Sequence, residues 1–144
     1  SVTDSRLASF FRTAAQLNLA IPDSYVVECA YHDTENAVLR TRELLGLKTP
    51  PTCIIYPDDI TAIAGINELR NLGYSVPKEI SVIGYDGITI GQTLFPKLTT
   101  MRQDVAGIGG SAADQLISQI EHPKTTIKQI ITIGGELVEG GSLA

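Results

Sequence analysis

Two stretches of this chain, Thr52–Tyr56 (TCIIY) and Ile80–Tyr85 (ISVIGY), are apolar almost without a break. A strand wetted on one face alternates polar and apolar residues, whereas short continuous runs suit strands covered on both faces of a parallel sheet. Between them, Ala62, Ile63, Ile66, Leu69 and Leu72 recur at helical spacing, and Gly73 is placed to end that helix. Two parallel strands joined through a helix form a crossover unit, and the rest of the chain extends the pattern.

Ahead of it, Leu7, Phe10, Phe11, Ala14 and Leu17 mark a first helix, with Asp4 as its N-cap. Ser24–Ala30 (SYVVECA) reads as a strand, and Thr34–Leu45 as a second helix that ends near Gly46. Behind it, Thr99–Gln103 reads as a short strand, and Asp104 caps a helix running to about Glu121. Val105, Ile108, Ala112, Leu116, Ile117 and Ile120 share one face of that helix. Gly109 and Gly110 weaken it by roughly 1 kcal/mol each, which close packing against another element would explain. Ile127–Ile133 and Glu136–Glu139 read as strand, turn and strand around Gly134 and Gly135. The order predicts an α/β fold: a three-layer, open, mostly parallel sheet with helices on both faces.

At 144 residues the chain has the length of one domain. No apolar run approaches the roughly 18 residues of a membrane span, so no membrane partner is expected. Residues 1–4 lack the basic start and apolar centre of a signal peptide, although the chain reads as beginning within a longer protein. The formal net charge is −5 and no Lys/Arg cluster stands out, which predicts poor nucleic-acid binding by this chain alone. Cys29 and Cys53 fall in or beside apolar runs and read as buried reduced thiols. No spacing suggests zinc, and neither a phosphate-binding glycine loop nor a GxSxG or HExxH motif is present. No cofactor and no metal are expected.

Ligands of open α/β sheets bind beyond the carboxyl ends of the strands. There the sequence places Tyr31, His32 and Asp33 after the first strand, Asp58 and Asp59 after the second, and Asp86 with Gly87 after the third. Arg6, in the first helical turn, faces the same edge. Each has a plainer reading. Asp59 is read as a helix N-cap, a role open to it but not to Asp58, which could be a loop carboxylate. Asp86 could be a turn residue with Gly87 and Arg6 a solvated helix residue, while Tyr31 could simply pack and His32 is a loop residue. Asp58, Asp59 and Asp86 could also act as oxygen ligands for magnesium in a phosphoacceptor or phosphatase.

The segment PTCIIYPDDITAIAGINELRNLGYSVPKEISVIGYDGI, followed by FPKLTTMRQDVAGIG, resembles the LacI/GalR family of bacterial transcription regulators. Pro51-Thr52, the acidic pair, Leu72-Gly73, Val76-Pro77, ISVIGYD, LTTMRQD and Glu136–Val138 with Ser142 carry it over residues 51–142, and Arg6 to Phe10 extend it to the start. The resemblance implies one lobe of a type I periplasmic-binding-protein-like core that senses a small, sugar-like effector in the cytoplasm, without catalysis. An exported sugar-binding protein of the same fold is the alternative it allows. It implies a homodimer that reaches DNA only through an N-terminal headpiece. Carried residue by residue, Arg6, Tyr31, Asp58, Asp86 and Gln103 become the ligand set, with Tyr85 packed beneath. Ile63, Ile66 and Asn67 fall on a dimer helix, although the plainer reading of the two isoleucines is the intramolecular core. Two departures stand out: Asp58 replaces the usual asparagine, so the pocket accepts where the family also donates, and Gly140 stands where arginine is frequent.

The resemblance further makes residues 1–144 the C-terminal lobe, with the helix at about 104–121 belonging to the N-terminal lobe of the full-length protein. Its apolar face would then pack back on this lobe, pair across a dimer, or stay disordered. With half a cleft, the chain alone is expected to bind effector weakly or not at all.

Overall fold

The computed structural model describes residues 2–125, 127 and 129–144. Its helices are α1 (Val2–Gln16), α2 (Thr34–Leu45), α3 (Asp59–Asn71) and α4 (Val105–Glu121). Its strands are β1 (Cys53–Ile55), β2 (Ser81–Asp86), β3 (Thr99–Arg102) and β4 (Glu136–Val138). They form one open sheet in the order β1-β2-β3-β4, parallel from β1 to β3, with β4 antiparallel on the edge. The α/β class and the mostly parallel sheet follow the predicted order.

The core lies where α2 and α3 pack against the sheet. Ala37 and Leu44 of α2, Ala62, Ile66 and Leu69 of α3, and Ile54, Val82 and Leu98 are all buried there. Ile66 is 1% exposed, so its side chain belongs to this core and not to a dimer face; Ile63 packs partly against the same core, and Asn67 is exposed. Gly65 lets Tyr56 in, because a Cβ there would overlap the Tyr56 ring. The Tyr56 hydroxyl lies 2.6 Å from the Thr41 hydroxyl, and burial pushes it up to about 12. Across α2 and α3, Arg42 Nε donates to the buried Glu68 at 2.6 Å.

Five local expectations change. Asp4 lies inside α1, which begins two residues ahead of it. The predicted strand at residues 24–30 has no ladder; a 3-10 turn at Asp23–Tyr25 leads into extended chain. Burial still alternates, with Val27 and Cys29 against the core, so side chains make it strand-like without backbone pairing. Cys53 is exposed, because the β1 pleat turns Cys53 and Ile55 away from Ile54. Residues 127 and 129–133 form no strand, and Lys128 lies outside the described residues. Gly109 and Gly110 have nothing within 4 Å of the position a Cβ would take, so no described element of this chain packs closely on them. No described residue of α4 is fully buried, with Val105 at 72% and Ile120 at 70% exposed. The helix forms but does not pack back on the sheet.

The two aspartates opening α3 exchange their expected roles. Asp58 is the N-cap, its Oδ1 accepting the Thr61 N–H at 2.8 Å and its Oδ2 the His32 N–H at 2.9 Å. Asp59 is the first helical residue, and its carboxylate turns the other way, into the sheet. An N-cap needs extended backbone, which Asp58 has at φ −153°, ψ 170°.

The C-terminal tail closes the opposite end of the sheet. Ser142, fully buried, donates its hydroxyl to the Val82 carbonyl at 2.6 Å and accepts the Thr99 N–H at 2.8 Å. Its carbonyl accepts the Val82 N–H at 2.7 Å. This wedge fills the gap where β2 and β3 have not yet paired. Gly140 is needed on the way, since a Cβ there would overlap the Lys97 carbonyl oxygen. An arginine at that position would therefore require a different path.

Two outcomes follow. Ser142→Ala leaves the Thr99 N–H and one Val82 lone pair unsatisfied in the core, and urea unfolding should show a loss of about 2–3 kcal/mol. Arg42 holds the Glu68 carboxyl below its ordinary value of 4.5. A depressed folded value contributes stability above the unfolded one and loses it as pH falls through the folded one. The stability gap between the wild type and Glu68→Gln should therefore be full at pH 6–7 and close below about pH 4.5, read by thermal melts across pH.

Candidate functional site

The carboxyl ends of β1, β2 and β3 deliver Pro57-Asp58, Tyr85-Asp86 and Arg102-Gln103 to one edge of the sheet. β2 and β3 run in register there, Tyr85 opposite Met101 and Asp86 opposite Arg102. Arg6 reaches this edge from α1, and Tyr31 from the loop before α2.

Arg6 is fixed by three groups. Its Nη1 donates to the Pro57 carbonyl at 3.2 Å and to the Tyr31 hydroxyl at 3.3 Å. Its guanidinium carbon sits 3.5 Å from the centroid of the Tyr85 ring and 5.9 Å from that of Tyr31. Guanidinium on an aromatic face is attractive through the ring quadrupole, most of all when partly desolvated. Tyr85 therefore does more than pack beneath the site: it is the platform on which the cation rests. The sequence held the signal, an aromatic one residue before the strand-end aspartate.

Asp86 leaves the strand at φ 109°, in the left-handed region that residues with a Cβ rarely enter, and Gly87 follows at φ 75°. Its Oδ1 accepts the Gln103 Nε2–H at 2.6 Å. A Cβ at Gly87 would overlap the Arg102 side chain, so glycine is required for closeness as well as for conformation. A groove of about 600 Å³ is lined by Arg102–Ala106, Gln103 among them, and by Gly134–Glu136, with the Arg102–Glu136 ion pair in its wall.

The structure thus brings Arg6 and Tyr31 together with Tyr85, and Asp86 and Gln103 together, all at the carboxyl edge of the sheet. Asp58 lies beneath the edge, 0% exposed, both carboxylate oxygens accepting backbone N–H groups. One of those belongs to His32, at φ 58°, which makes His32 a turn residue held by Asp58. Asp58, Asp59 and Asp86 serve three separate donor sets. Among the described residues no group of three His, Cys, Asp or Glu side chains is arranged to hold a metal ion. Among the same residues no helix is long and apolar enough to cross a membrane.

The chain as a whole has known counterparts. The periplasmic binding protein-like domain matches residues 1–143. The HTH-type transcriptional repressor PurR of Vibrio campbellii is 33% identical over 122 residues, covering 83% of this chain and 36% of the repressor. A regulatory protein of the LacI family from Chloroflexus aggregans superposes with a TM-score of 0.87 at 25% identity, over 98% of this chain and 50% of that one. A LacI family transcriptional regulator from Enterococcus faecium, with bound ribose, gives 0.69 at 27% identity, over 77% of this chain and 40% of that one. The chain spans about two fifths of the length of the curated relatives it matches. It belongs to the family of periplasmic binding protein-like domains, in the form found in LacI-type transcriptional regulators.

Proposed function

We propose that this chain is the C-terminal lobe of the effector-sensing core of a cytoplasmic LacI-type regulator. It takes a small, sugar-like ligand against the carboxyl edge of its sheet and performs no catalysis. The carrying observation is Arg6, clamped on Tyr85 and tied to Tyr31 and Pro57, on the same sheet edge as the Asp86–Gln103 pair. A guanidinium offers donors in a rigid fork, and an ionised carboxylate only accepts. Side by side they suit a ligand carrying several hydroxyls, each able to play either part. The ribose held by the Enterococcus faecium neighbour supports that class.

In this reading Arg6, Asp86 and Gln103 bond the ligand and Tyr31 offers an aromatic face. Asp58 acts one step back, holding His32 and through it Tyr31. The second wall of the cleft comes from an N-terminal lobe, to which α4 with its uncovered apolar face also belongs. The regulator works as a homodimer in which Asn67 and the partly buried Ile63 lie towards the partner, and it meets DNA through a separate headpiece. Ligand shifts the lobes only by its differential affinity for the closed arrangement.

Titration calorimetry against neutral sugars, amino sugars and sugar acids tests this on the chain alone and joined to its N-terminal lobe. The chain alone should bind weakly or not at all, and the joined protein should bind one member with micromolar affinity or better. Arg6→Gln and Asp86→Asn should each weaken that binding by roughly 10- to 100-fold, the loss of a charge-assisted hydrogen bond. Micromolar binding by the chain alone, or unchanged affinity in both variants, would sink the proposal.

A further inference from the structure

Beneath Asp86 lie two side chains that do not reach the surface of the site. Asp59 and Thr100 are both 0% exposed. The Thr100 hydroxyl donates to Asp59 Oδ1 at 2.6 Å and accepts the Gly87 N–H at 3.2 Å. Asp59 Oδ2 accepts the Ile88 N–H at 2.8 Å. The two amides that follow Asp86 are thus both gripped by a pair of side chains from α3 and β3.

Burying a carboxylate is costly unless hydrogen bonds compensate. Burial pushes the Asp59 carboxyl up, and Thr100 with the Ile88 and Gly87 N–H groups pulls it back. Capping α3 does not explain the expense, because Asp58 already does that. The neighbouring sequence also makes room for the pair: a Cβ at Gly84 would overlap Asp59 Oδ1.

We propose that Asp59 and Thr100 are positioning residues for Asp86. By holding the Gly87 and Ile88 N–H groups they keep Asp86 at φ 109°, the conformation in which its carboxylate meets Gln103. A residue with a Cβ in such a conformation carries strain of order 1–3 kcal/mol and persists only where its surroundings over-determine it. With the grip released, Asp86 relaxes to extended backbone, continues the line of β2, and its carboxylate swings away from Gln103. The benefit to a ligand rests on the sensor reading above; the grip itself does not.

Thr100→Val removes the hydroxyl with little change of shape, and Thr100→Ser keeps it. NMR on the 144-residue chain reads amide exchange at Gly87 and Ile88, the Asp86 HN–Hα coupling and the Gln103 side-chain amide signal, with Val82 and Tyr56 amides reporting the sheet. In Thr100→Val, exchange at Gly87 and Ile88 should rise at least about tenfold relative to Val82, a local opening and not global unfolding. The Asp86 coupling and Gln103 signal should move with it, and Thr100→Ser should restore all three. Should Thr100→Val fail to fold, Asp59→Ala, which removes both oxygens that Thr100 and the Ile88 N–H donate to, is expected to give the same local signature. Native values in the valine variant, no rescue by serine, or acceleration shared equally by Val82 and Tyr56 would each overturn the proposal. Calorimetry on the same proteins separates the two readings, since a wild type that binds no sugar counts against the sensor alone.

Discussion

The structure depends on how two adjacent carboxylates, Asp58 and Asp59, are taken out of water at the start of α3. Asp58 turns back to cap the helix and to hold the loop at His32. Asp59 turns forward into the sheet, to Thr100 and the Ile88 N–H. Three elements that are distant in sequence, the loop before α2, the exit of β2 and the body of β3, are thereby registered on one helix N-terminus. The positive end of the helix dipole favours both charges there. Both are satisfied by donors, which is what makes their complete burial tolerable.

From that junction the site's chemistry follows. The exit of β2 is pinned, so Asp86 is presented in a conformation it would not choose, with Gln103 beside it. The loop carrying Tyr31 is pinned by Asp58, so its hydroxyl meets Arg6. Tyr85 supports the guanidinium from beneath. A fixed cation and a fixed anion thus stand on one edge, their ordering completed in folding. At the far end of the same strands, Ser142 performs the matching task, supplying hydrogen bonds where the β2–β3 ladder has not begun.

Much of this was legible in the residues. The continuous runs TCIIY and ISVIGY marked β1 and β2, and Asp104 marked the start of α4, since apolar periodicity and capping are local properties. Arg6, Tyr31 and Asp86 were legible as candidates because strand ends converge on one edge in any parallel sheet, whereas Gln103 was legible only through the family resemblance. The segment at residues 24–30 was misread because its side chains alternate as a strand's do, while a ladder requires a neighbour's backbone. Ile66 was legible both as core and as interface, and only the packing of α3 on the sheet separated the two.

The sequence by itself determined the alternation of helices and strands, the parallel sheet, and the edge to which its polar residues are carried. These follow from hydrophobic period and chain connectivity, which act over a few residues at a time. Only the tertiary structure decided which of Asp58 and Asp59 caps the helix and which turns into the sheet, that Tyr85 carries Arg6, and that α4 stands with its apolar face uncovered. Each depends on a partner tens of residues away, and a carboxylate's role is set by the donors that reach it. Neither aspartate differs from the other in chemistry; His32, Thr61, Ile88 and Thr100 tell them apart.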